Sequence, residues 1–179
     1  MIDLISKGRL REQELITYLK INNVSKIYIV GSVGSGKTTL GKKIAKELDL
    51  AFFEMDNLIF ERSSIEDRKR TDDEINFLVE NIVQKDSWLI EGTCLREIVQ
   101  PIFDSSSKII FLDIFYFVRV YRFSLRFLKQ KLGIEKANYQ PTFKIYKQMF
   151  KWNHDFEKTG HLNFIDKTKK YPQKRYYFK

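Results

Sequence analysis

The stretch KIYIVGSVGSGKTTL (26–40) carries the reading of the fold. Its first five residues are β-branched or aromatic and run straight into glycine, the pattern of a buried strand. Gly31 to Thr38 then satisfies the phosphate-binding pattern G-x-x-x-x-G-K-[ST] in full. Gly31, Gly34 and Gly36 allow a tight loop whose N–H groups face inward, where side chains would collide with a polyphosphate. Ser32, Val33 and Ser35 complete the loop. Residues 37–48 place Leu40, Ile44, Ala45 and Leu48 at helical spacing, so a helix N-terminus points at the same anion. Lys37 is expected at the β- and γ-phosphates of ATP, the Thr38 hydroxyl on Mg2+, with Thr39 beside them.

Outward from this loop, strands alternate with helices. Strands are expected near 26, 51, 87, 108 and 174, and their near-continuous apolar character indicates a parallel sheet covered on both faces. The fold class is α/β: a three-layer α/β/α sandwich with a five-stranded parallel sheet. Residues 2–19 read as an amphipathic helix broken or delayed near Gly8, and 1–24 as an N-terminal helical extension. That extension would dock on the sheet edge or serve self-association, with 25–179 as the main domain. Segment 61–70 (ERSSIEDRKR) lacks periodicity and reads as a loop or flap. Thr71 and Glu74 form a capping box for the helix that follows. A short helix from about Cys94 is expected to stop at Pro101, and a long basic, aromatic helix after 113 to stop at Gly133. Further helices are expected from Pro141 through about Glu157 and over 160–170.

The chain has 179 residues, enough to bury a core without staples, and a single cysteine, which excludes an internal disulfide and fits a reducing, cytoplasmic interior. The longest apolar run, 109–118, is interrupted by Asp113, and no signal-peptide run precedes it. No membrane partner is expected. Net charge is −3 over residues 1–118 and +12 over 119–179, which points to a phosphorylated or polyanionic ligand at the C-terminal end, or to a solvated lysine-rich face.

Several acids and arginines sit where strand ends would converge. Glu91 closes the strand WLIE and suits a water-mediated magnesium contact. Asp56 follows the strand AFFE and suits orienting or deprotonating an acceptor hydroxyl, or helping with Mg2+. Asp113 is either a helix cap or a functional acid. Arg119, Arg122 and Arg126 lie at i, i+3 and i+7, one helix face suited to the charge of a transferring phosphoryl group. Cys94, His154 and His161 read as packing or surface residues, and the aromatics of 115–127 as packing against the sheet.

These motifs, in order over about 26–178, resemble the P-loop kinases of the adenylate kinase and shikimate kinase type. WLIEG (88–92) is similar to the motif of nucleoside monophosphate kinases, and FLD (111–113), with Arg122 and Arg126 beyond it, resembles the adenylate kinase strand and helix that carry lid-base arginines. Within that group the chain looks most like bacterial FlaR-like "topology modulation" proteins, through MDNL (55–58) and FKWNHDFEK (150–158). The resemblance implies an ATP- and Mg2+-dependent phosphotransferase with Lys37, Asp56, Arg122 and Arg126 at the chemistry. It places Arg96 with Asp56 at the acceptor, and Arg62, Arg68 and Arg70 in an acceptor flap. Two departures weaken an adenylate kinase assignment: Thr-Cys follows Glu91-Gly92, and 127–143 holds no arginine. The alternative is a nucleotide-regulated nucleic-acid-binding protein, motivated by the +12 C-terminal third. The acceptor and the oligomeric state are left open.

Overall fold

The computed structural model of the chain describes residues 2–63, 67–135 and 141–179, the first nine of these by backbone alone. In chain order the elements begin with α1 (Ile2–Ile21), β1 (Lys26–Gly31), α2 (Lys37–Leu48), β2 (Ala51–Glu54) and α3 (Met55–Ile59). A short hairpin, β3 (Phe60–Glu61) and β4 (Arg68–Lys69), precedes α4 (Asp72–Val83), β5 (Trp88–Glu91), α5 (Gln100–Ser105) and β6 (Lys108–Leu112). The chain ends with α6 (Tyr116–Lys131), α7 (Phe143–Asp155), a π-helical turn (Phe156–Gly160), α8 (His161–Thr168) and β7 (Arg175–Phe178).

The main sheet has the order β2-β5-β1-β6-β7, all parallel, with β1 at its centre. Successive side chains of a strand point to opposite faces, and the apolar strands therefore feed two cores. Tyr28, Val30, Trp88, Ile90, Ile109 and Phe111 pack under α4, α5 and α8, against Ile75, Val79, Ile102, Phe103 and Phe164. Ile27, Ile29, Leu89, Ile110 and Leu112 pack under α1 and α2, against Leu15, Ile16, Leu19, Leu40 and Ile44. This is the expected three-layer sandwich, and its five strands lie where the sequence placed them.

Four expectations need correction. The aromatics of 115–127 do not pack against the sheet: Phe115, Phe117 and Tyr121 are exposed, and Phe123 and Phe127 pack on Tyr146 and Phe150 of α7. α1 runs unbroken through Gly8; a helical glycine costs only about 1 kcal/mol, and Leu15, Ile16 and Leu19 anchor the helix in the core. Cys94 lies in irregular chain, and Pro101 opens α5 rather than ending a helix. In a first turn the missing proline N–H costs no hydrogen bond. The segment 61–70 is not wholly loop, since Phe60 pairs with Lys69 and Glu61 with Arg68; its residues 64–66 lie outside the described residues. The Thr71–Glu74 capping box is formed in both directions, as expected. Among the described residues no helix is long and apolar enough to cross a membrane.

Candidate active site

The loop between β1 and α2 has the shape its glycines allow. Gly34 and Gly36 have φ of 75° and 95°, left-handed conformations that disfavour any side chain. A Cβ on Gly34 would lie 2.5 Å from the carbonyl oxygen of Arg119, so the start of α6 packs directly on the loop backbone. The Ser35 N–H donates to the Ser32 carbonyl (3.2 Å), closing a turn. No side chain caps the N-terminus of α2, whose first amides are left for an anion. Lys37 lies back over the loop, its Nζ donating to the Ser32 carbonyl at 3.3 Å.

The strand ends supply the carboxylates. Parallel pairing sets Ile29 opposite Glu91 and Glu54 opposite Glu91, which brings the acid of β5 level with the loop. The Thr38 hydroxyl donates to Glu91 Oε1 at 2.6 Å, joining the two residues expected at the metal. Glu91 is only 5% exposed. Burial pushes its carboxyl above the ordinary value, while Lys37 and the Thr38 hydroxyl pull the other way. A desolvated carboxylate held against a hydroxyl fits a magnesium ion brought in with a nucleotide. Among the described residues no group of three His, Cys, Asp or Glu side chains could cage a metal without it. Glu54 is engaged with Lys42 (3.1 Å). Asp56, at the start of α3, stands exposed beyond β2 and acts on Glu91 through its charge.

The three arginines of α6 separate. Arg122 Nη1 donates to the Ser35 carbonyl (3.1 Å) and passes over Gly36, so it reaches the loop. Arg126 pairs with Glu135 (3.1 Å), whereas the expectation places both guanidiniums over the phosphates. Arg119, which the resemblance does not place at the chemistry, is 2% exposed; it pairs with Glu157 and lies over the rings of Tyr116 and Phe156. Two contacts have no counterpart in the sequence reading. Buried Asn153 on α7 accepts from the Ser32 hydroxyl (3.1 Å), and the Thr93 hydroxyl donates to the Gly31 carbonyl. A polar residue four positions after buried Met149 was the available signal for Asn153.

The flap side is more exposed. Arg96 pairs with Asp72, Arg62 with Asp67, and Arg68 with both Glu61 and Glu74. Arg70 donates to the Asn57 and Leu58 carbonyls and so braces α3 behind Asp56. Asp113, Cys94 and His161 make local contacts. The Asp113 N–H donates to the Phe178 carbonyl (2.9 Å), tying β6 to the end of β7. Burial pushes the Cys94 thiol up, and His161 rests on the Phe111 ring.

Residues 33–77 match the family model described as shikimate kinase. The shikimate kinase of Legionella pneumophila (strain Corby) is 42% identical over 45 residues, which is 25% of this chain and 26% of that protein. That of Ralstonia nicotianae is 44% identical over 43 residues, 24% of this chain and 23% of that protein. The chain thus spans about a quarter of the length of the curated relatives it matches. Among solved structures, the shikimate kinase from Bacteroides thetaiotaomicron superposes with a TM-score of 0.52 at 19% identity. That match covers 87% of this chain and 85% of the other. The architecture is therefore the shikimate kinase-type P-loop fold, and residues 33–77, from within the loop through β2 and into α4, match the shikimate kinase family model.

Proposed function

We propose that this protein is an ATP-dependent kinase that moves the γ-phosphoryl group to a hydroxyl of a small molecule. The observation that carries the reading is the Thr38–Glu91 contact at 2.6 Å beneath a glycine loop crossed by Lys37 and Arg122. In this reading the loop amides and Lys37 hold the β- and γ-phosphates, and Arg122 meets charge that develops on the transferring group. Thr38 and Glu91 would hold the Mg2+ that enters with ATP, which neutralises phosphate charge. Asp56, exposed and close enough to act on Glu91, accepts the proton of the attacking hydroxyl.

The flap favours a hydroxyl acceptor over a nucleoside monophosphate. A dianionic phosphate acceptor needs several guanidiniums to receive it, and Arg62, Arg68 and Arg96 would each have to leave a carboxylate to do so. A polyol needs mainly the Asp56 base, and a hydroxy acid, the class to which shikimate belongs, needs one guanidinium released to its carboxylate besides that base. The likeness to topology-modulation proteins names no acceptor. The test is ADP release across a panel of hydroxy acids, sugars, nucleosides and nucleoside monophosphates. One hydroxyl acceptor should raise turnover well above water, and both Lys37→Ala and Asp56→Asn should remove that rise. A nucleoside monophosphate as sole effective acceptor, with Asp56→Asn fully active, would overturn the assignment of Asp56 and of the acceptor class.

A further inference from the structure

Helix α6 has two apolar faces, and the phosphate site uses neither. One is buried: Phe123 and Phe127 stack with Tyr146 and Phe150 of α7. The other is Val118, Tyr121, Leu125, Leu128 and Leu132, spaced alternately by three and four residues, with Phe117 beside them. All six stand in solvent, and Phe117, Tyr121, Leu128 and Leu132 are 68, 66, 55 and 65% exposed. Together they offer an apolar ridge on the order of 600 Å², at roughly 200 Å² per large side chain. That is at the upper end of patches on ordinary monomers and calls for a partner.

Charge selects among partners. From residue 114 to 154 the chain has nine Lys or Arg and one acid, Glu135, which Arg126 already holds. On a helical wheel Lys129 and Lys131 flank the ridge on its two sides. A second copy seated helix on helix, in either direction, would set two such basic stretches against each other, like charge on like charge. A nucleic acid would take the charge and leave the ridge in water. An anionic bilayer surface satisfies both features. The ridge enters the boundary between headgroups and acyl chains, and the lysine stems reach back to lipid phosphates.

We infer that the exposed face of α6 seats the protein on an anionic lipid surface, lying in the interface without crossing it. The absence of a spanning segment does not bear on this mode of association. The inference stands independently of the kinase reading, because its readout is vesicle binding.

The experiment is co-sedimentation of the full chain with phosphatidylcholine vesicles, with and without phosphatidylglycerol, at low and high salt. Binding is expected only with phosphatidylglycerol and is weakened by salt. Tyr121→Ser/Leu128→Ser and Lys129→Glu/Lys131→Glu should each weaken it at least roughly tenfold. ATP affinity and circular dichroism, unchanged in both variants, show that the fold is retained. No association of the wild type with anionic vesicles overturns the inference. So does binding that survives loss of the ridge and follows charge alone, which marks a general polyanion surface. A concentration-dependent dimer by light scattering, abolished by Tyr121→Ser/Leu128→Ser and unaccompanied by vesicle binding, assigns the face to a second copy and also overturns it.

Discussion

On the loop side of the cleft, Ser32, Glu91 and Arg119 are buried and hydrogen-bonded, and the backbone of α6 presses on Gly34. On the flap side, Arg62, Arg68 and Arg96 hold carboxylates in or near solvent. Buried groups in fixed positions act on charge at low effective dielectric and need no rearrangement during a reaction. Exposed ion pairs are each worth about 0–1 kcal/mol and are screened by salt. The contrast teaches that the loop side is preorganised, whereas the flap can change shape at little cost in stability.

Glu91→Gln tests that contrast most strongly. Burial raises the folded-state pKa of Glu91 above its unfolded value, so the folded state holds the proton more tightly. Its contribution to stability therefore falls as pH rises from the unfolded value, and the ionised carboxylate is a cost at neutral pH. We predict that Glu91→Gln lowers kcat/KM on the order of 10²-fold. The same substitution should raise Tm at neutral pH, with the gain vanishing below about pH 4. An active variant, or one less stable at neutral pH, would break the reading of this residue.

Next in size is Gly34→Ala. The positive φ and the approach to the Arg119 carbonyl predict a loss of roughly 2–3 kcal/mol in denaturant unfolding, together with weaker ATP binding. Unchanged stability would show that α6 does not rest on the loop.

Arg122→Ala and Arg126→Ala separate two residues that the sequence treats alike. Arg122→Ala should reduce kcat about 10- to 100-fold, whereas Arg126→Ala, which breaks an exposed pair with Glu135, should leave kcat nearly unchanged. Equal losses in steady-state assays would return Arg126 to the site.

The smallest effect belongs to the flap side. Thr71→Ala should cost α4 about 1 kcal/mol through loss of its cap. It should leave phosphoryl transfer intact. Glu74, lowered to about 2 by Arg68 and the Thr71 amide, contributes stability above its ordinary pKa that is lost as pH falls toward 2. Thr71→Ala keeps that amide and removes only the hydroxyl that also donates to Glu74 (3.2 Å), so its acid-dependent loss in a Tm series should be only slightly smaller.

Much of this was legible from local pattern. The loop, all five sheet strands, the Thr71 cap and the Gly133 stop each depend on a few neighbouring residues, through backbone freedom at glycine, apolar alternation and side-chain capping. The separation of Arg119, Arg122 and Arg126 was not legible, because helical spacing fixes a face but not what lies opposite it. Asn153 and Glu157 come from α7 and the following turn, more than 100 residues after the loop, and only packing brings them to Ser32 and Arg119.

By itself, then, the sequence determined a phosphate-binding loop at the centre of a parallel sheet, since glycine torsions and strand periodicity are local properties that packing could not override. Only the tertiary structure decided which acid meets Thr38, which arginine reaches the loop and which face of α6 is left to solvent. Those outcomes depend on sheet order and helix docking, where contacts join residues far apart in the chain and no local signal records the partner.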